Sequence, residues 1–266
     1  LYDEICDETN STFPKFMNES FNTGLQNGGI IGAGRELVGT SGLFITKKRY
    51  AILKYEEEGK RLDTNGQPGK IKAMGLDLKR SDTPKYMQDF LEEILIDLLT
   101  DNSKEFIIEK ISNFRKEFKS FDSWVKGSPK KVNGLTKYSS LQTQSMDMST
   151  IKKVGQSGKV RMPGHVRASI NWNYLKKLYN DHSSMEITDG QKVIVCKLDN
   201  NPMKMDSIAY PFDETNLPDW FKNLPFNDSG MEEVIIDKKI SNLIGILKWD
   251  LSKTVQASSF GSFISF

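Results

Sequence analysis

The chain has 266 residues, 37 Lys and Arg against 35 Asp and Glu, a net charge of +2, and a composition 37% hydrophobic and 27% charged. That describes a globular chain with enough apolar material for one large core or two small ones, and it contains no apolar run of about 18 residues that could span a membrane. Two cysteines (Cys6, Cys196) and two histidines (His165, His182) exclude a zinc site of paired ligands and leave no basis for a His-based metal site or a Ser-His-Asp triad. Residue 1 is Leu and no signal peptide is visible, which leads us to expect a piece of something longer.

Residues 1 to 27 carry Phe13, Phe16, Met17, Phe21 and Leu25 at helical spacing, and Asn27-Gly28-Gly29 breaks the pattern. Asp3, Glu4 and Asp7 at its start read as a solvated face. The glycine run from Gly28 to Gly34 lacks the strand–helix setting of a dinucleotide loop. A β-rich stretch is predicted next: Ile30-Ile31, Glu36 to Val38, and Gly42 to Tyr55, with a hairpin turn at Glu56 to Gly59 and a return strand at Lys70 to Met74. Thr83-Pro84 predicts a helix N-terminus, with Thr83 as the cap. The spacing of Phe90, Leu91, Ile94, Leu95, Leu98 and Leu99, then of Phe106, Ile107, Ile111, Phe114 and Phe118, predicts an antiparallel helical pair. Residues 126 to 164 read as a long exposed loop. Beyond them we expect a helix around Ala168 to Tyr179, a strand at Lys192 to Leu198, and helical stretches near 217–224 and 237–246.

The sharpest local signal is Thr46-Lys47-Lys48-Arg49-Tyr50 within the apolar stretch. Read as one continuous strand, alternation puts Lys48 and Tyr50 on one face and Lys47 and Arg49 on the other. Cations on both faces suit a phosphate backbone, or minor-groove acceptors that every base pair offers. An edge strand guarded by lysines against aggregation fits the same residues. Arg80 and Lys85 bracket the Thr83 helix start, where amide donors and the positive helix end favour a phosphate; ordinary surface charge is the plain alternative.

Lys47-Lys48-Arg49-Tyr50 resembles the KKRY motif of family B DNA polymerases of large tailed phages. The segment from Lys72 to Lys85 resembles that family's palm-to-thumb junction, and Arg35-Glu36 its Arg-Glu pair. Pro163-Gly164-His165-Val166-Arg167 with Asn171 and Asn173, then Lys192 to Val195, Asn200-Asn201-Pro202 and Ile208 to Pro211, resemble successive thumb segments. The motifs run in family order over residues 30 to 215.

The resemblance implies an α+β chain, with residues 1–75 as the C-terminal part of a palm (antiparallel sheet plus helix). Residues 76–266 would form a mainly helical thumb with a small β element. It implies primer–template DNA as ligand, held by Lys47, Lys48, Arg49, Tyr50, Arg80, Lys85, His165 and Arg167, with Glu36 as an accessory carboxylate. It also implies replication in the cytoplasm of an infected bacterial host, and Mg2+ in the complete enzyme only. The family's Tyr-Gly-Asp-Thr-Asp-Ser type motif, earlier aspartate motif, fingers helix and exonuclease do not occur in the chain. We therefore expect it to be inactive alone and to need the remainder of the polymerase. The tail residues Phe260, Phe263 and Phe266 would dock in a sliding clamp or fold back on the thumb. A free-standing, non-catalytic DNA- or RNA-binding accessory protein is the competing reading.

Overall fold

The computed structural model describes residues 1–139, 162–252 and 254. Among these the chain is α+β with two separate antiparallel sheets. It divides into two compact units: Leu1–Gly75 with Ile94–Asn102, and Leu76–Glu93 with the described residues from Ser103 on.

The first unit begins with α1 (Tyr2–Phe21), closed by Asn22 in the left-handed region, its N–H on the Asn18 carbonyl. A 3-10 helix over Leu25–Ile30 folds back on it. Contact is tightest at Gly28, where an added Cβ would lie 2.2 Å from Pro14 Cα, so the glycine there answers a packing need. Asn10 fastens the return, accepting from Ala33 N at 2.6 Å and donating to Ala33 O at 2.9 Å. The Ile30-Ile31 strand expected from sequence is therefore absent: Ile30 ends the 3-10 helix.

The sheet that follows consists of β1 (Leu37–Thr46), β2 (Arg49–Glu57), β3 (Lys60–Arg61) and β4 (Lys70–Met74), with β2 between β1 on one side and β3 and β4 on the other. Glu58 (φ 49°) and Gly59 (φ 77°) make the tight turn into β3, as two consecutive positive φ values do in a type I′ hairpin. One face of the sheet is covered. Ala51 and Leu53 are buried, as are Ile94, Leu95 and Leu99 of the same unit, and the Ser41 hydroxyl donates to the Leu99 carbonyl.

In the second unit, α2 (Lys85–Leu99, whose end from Ile94 belongs to the first unit) is followed by α3 (Lys104–Ser120), capped by Ser103 Oγ accepting from Phe106 N at 3.2 Å. Phe90 and Phe114 stack at 3.8 Å. Thr83 does not cap α2. Its hydroxyl is buried without a hydrogen-bond partner, and the Gln88 amide instead donates to the carbonyls of Arg80 (2.8 Å) and Thr83 (2.9 Å). The segment expected to be a loop from 126 holds β5 (Ser128–Lys131) and α4 (Leu135–Ser139) in its described part. After α5 (Gly164–Leu178) come β6 (Lys192–Lys197) and β7 (Ser207–Pro211), which complete the sheet β5-β6-β7. Short helices α6 (Asp219–Lys222) and α7 (Asp228–Glu232), a π turn over Glu233–Asp237 and α8 (Lys238–Ile244) finish the unit.

Helix α5 packs on β7 and β6 around the fully buried Trp172 and Phe221. Two buried asparagines satisfy neighbouring backbone: Asn171 donates to Ser207 O at 2.8 Å, and Asn173 exchanges two bonds with Ile187 at 2.8 and 2.9 Å. Arg115 is 2% exposed and holds Glu232 at 2.9 Å and Asp237, in keeping with the rule that buried charge is paired.

Candidate nucleic-acid interface

In the first unit, Lys47 and Lys48 are the turn of the β1–β2 hairpin and not part of a strand. The two-faced strand expected from alternation is thus corrected. Thr46 pairs with Arg49 and Phe44 with Tyr50, and a register shift lies between Phe44 and Thr46. Lys48 adopts φ 62°, a left-handed conformation uncommon for lysine. Both ammonium groups are exposed at a loop tip, while Arg49 and Tyr50 are half-buried. The reason the turn exists lies partly in β4. Gly75 has φ 66°, and a Cβ there would sit 2.2 Å from the Lys48 carbonyl oxygen, so the end of β4 runs directly under the turn.

Beside the turn Tyr50 belongs to a row whose two exposed members, Phe44 and Met74, the sequence reading missed. Phe44, Tyr50 and Met74 are cross-strand neighbours on the uncovered face. Phe44 is 66% and Met74 45% exposed, and the rings of Phe44 and Tyr50 stack at 5.9 Å. An apolar row under a lysine pair can press on sugars or base edges while the ammonium groups take phosphates.

Glu36 precedes β1, is exposed, and is ion-paired to Lys72 of β4 at 2.6 Å. Its neighbour Arg35 reaches Asp3 at 3.1 Å and Glu56. Among the described residues no group of three His, Cys, Asp or Glu could hold a metal ion. The donor set does not fit a two-metal centre, and no metal-borne step is assigned to these residues.

In the second unit, Arg80 forms a two-pronged pair with Asp82 at 2.9 and 3.0 Å, and Lys130 of β5 reaches the same carboxylate at 2.9 Å. These cations hold the Asp82 carboxyl well below its ordinary range. Lys85 is bound to Asp89 at 2.5 Å, one turn on. His165 and Arg167 stand in the first turn of α5 and line a groove of about 450 Å³ together with Lys130, Lys197 of β6, Ser128 and Asp206. Burial, and then Lys130, lowers the His165 pKa. Lys130 joins Arg80's partner Asp82 to the groove of His165 and Arg167, which the sequence kept far apart. Lys130 and Lys197 escaped the sequence reading because each is one lysine in a short strand; only pairing of β5 with β6 brings them together. Phe260, Phe263 and Phe266 lie outside the described residues.

No protein-family model matches the chain. Over 181 residues it is 31% identical to the DNA-directed DNA polymerase of Enterobacteria phage T4, covering 68% of the chain and 18% of that polymerase. This chain is related to a segment of phage DNA polymerases. The DNA-directed DNA polymerase of Escherichia phage RB69 is 28% identical over 174 residues, 65% of the chain and 17% of the polymerase. The chain thus spans under a fifth of either relative by its matched part, and the relationship agrees with the ordered family B motifs. No described helix is long and apolar enough to cross a membrane.

Proposed function

We propose that this chain is the C-terminal palm (residues 1–75) and thumb (76–266) of a phage replicative DNA polymerase. It grips primer–template duplex through phosphates and the minor groove while the rest of the enzyme adds deoxynucleotides. The observation that carries the reading is the exposed Lys47-Lys48 turn beside the row Phe44, Tyr50 and Met74. A lysine at an exposed hairpin tip meets any phosphate without reading a base, as a polymerase advancing over every sequence requires. Arg80, Lys85, His165 and Arg167 would hold the backbone elsewhere; for the first two, and for Arg167, binding means exchanging a carboxylate for a phosphate. Magnesium belongs to the complete enzyme, supplied with its ligands by the missing part, and the chain alone is inactive. A sliding clamp would take the tail at Phe260, Phe263 and Phe266. The setting is the cytoplasm of an infected bacterial cell.

Helix α1 supports this reading over that of a self-sufficient accessory protein. It buries no residue, and Leu1, Tyr2, Ile5, Phe16 and Phe21 are exposed. A long helix with apolar side chains in water is the surface a further piece of protein would cover.

The test is a salt titration of binding to primer–template and to single-stranded DNA, with wild type and Lys48→Asn. Asparagine tolerates the left-handed conformation, so the change removes charge and keeps the turn. We expect preference for primer–template, and a log–log salt slope smaller by about 0.9 in the variant. Equal binding of the two DNAs, or a slope the substitution leaves untouched, would overturn the assignment.

A further inference from the structure

The groove at the N-terminal end of α5 carries an inference that deepens, and rests on, the nucleic-acid reading. Three cations line it, Lys130, Arg167 and Lys197, together with His165 and one carboxylate, Asp206. Arg167 is engaged by Asp206, yet its Nε is buried without a partner. Lys130 is shared with Asp82, and the Lys197 ammonium has no ion-pair partner among the described residues. The first turn of the 15-residue α5 adds its own positive end. Among the described residues Lys197 thus stands in the groove with no carboxylate bound to it, and Glu233 acts on it only through space. The groove's volume suits a phosphodiester with part of its sugars.

Asp206 is the more exposed member of its pair with Arg167. Its side chain is 60% exposed, against 23% for Arg167, and it sits in the connection just before β7. It can turn out to solvent by giving up one further bond, from the Ser207 hydroxyl at 2.8 Å, whereas Arg167 without a partner would leave a part-buried charge uncompensated. We propose that this groove is a phosphodiester-binding site in which Asp206 holds the place of the phosphate. On docking of duplex DNA, Arg167 then exchanges that carboxylate for a backbone phosphate, with Lys130 and Lys197 flanking it in the groove. Asp206 thereby sets affinity downward: it competes with each incoming phosphate and shortens the dwell of the duplex.

Asp206→Asn tests this against Asp213→Asn, which removes an equal charge beyond the other end of β7. We expect Asp206→Asn to bind primer–template about tenfold more tightly, with a salt slope steeper by about 0.9. Asp213→Asn should stay within about twofold of wild type, as screened surface charge does. The gain should vanish in Arg167→Ala/Asp206→Asn. If Asp206→Asn behaves as Asp213→Asn does, the place-holding role is wrong. A second readout separates this failure from that of the function itself: the ring resonances of His165, with His182 as internal control, are followed during titration with inorganic phosphate. A His165 response that is stronger in Asp206→Asn, with no binding of DNA by any form, would keep the phosphate site and overturn the nucleic-acid source. No response in any form would overturn the site.

Discussion

Gly75→Ala should damage the lysine turn without touching a charge. Two terms contribute. Alanine in the left-handed region costs about 1–2 kcal/mol, and Gly75 has φ 66°. The new Cβ would also lie 2.2 Å from the Lys48 carbonyl oxygen and 3.1 Å from Arg49 Cγ. Relief requires the turn or the end of β4 to move by about 1 Å, and forced overpacking of this kind costs about 1–3 kcal/mol. The sum is about 2–5 kcal/mol. Gly59→Ala is the matched control, since Gly59 has φ 77° with nothing within 4 Å of its Cβ position; it pays the conformational term alone, about 1–2 kcal/mol. Urea unfolding of both variants gives the difference, and the salt slope of primer–template binding reports on the turn. We expect Gly75→Ala to be the less stable by at least about 1 kcal/mol, and to lose up to about 1.8 from the slope if both lysines leave their phosphates. Equal stability and equal slopes in the two variants would refute the claim that β4 props the turn.

Arg115→Met keeps much of the buried volume and removes the partner of Glu232 and Asp237. Both acids retain some solvent, so the loss should fall near the lower end of the about 3–5 kcal/mol for breaking a buried pair, read as the urea midpoint at constant m. An unchanged midpoint would mean that the acids find water as readily as they find the guanidinium. Burial and Lys130 depress the His165 pKa, so the neutral ring is favoured in the folded chain. The associated stability is present above the ordinary histidine value of about 6.5 and is lost as pH falls through the lowered folded value. Between pH 7.5 and pH 5, unfolding midpoints should therefore fall further for wild type than for His165→Gln; parallel curves would show that His165 is equally solvated when unfolded and folded.

The amphipathic elements were legible because their periodicity records burial directly. Phe90, Ile94 and Leu95, or Ile107, Ile111, Phe114 and Phe118, are apolar at helical spacing since one side of each helix is covered. The order of motifs along the chain likewise sufficed for relationship to phage polymerases, because local similarity needs no folding to be read. The sequence by itself therefore determined the α+β class, most elements and the residue types available for phosphate.

Tertiary structure decided where those residues stand. Lys47-Lys48 contains no Gly, Asn or Pro, so nothing local announced a turn; Gly75, 27 positions after Lys48, makes room for it. Thr83 had the composition of a cap, but its buried hydroxyl accepts from no amide, and the helix start is tied instead by Gln88 donating to the Arg80 and Thr83 carbonyls. Asn171 and Asn173, which the sequence offered only as part of a thumb-like motif, are buried braces for Ser207 and Ile187. Lys130, His165, Arg167, Lys197 and Asp206 share one groove only because β5, β6, β7 and α5 pack together. Electrostatic partners are fixed by distance in space, and a carboxylate close enough to stand in for a phosphate leaves no mark on the spacing of residues along the chain.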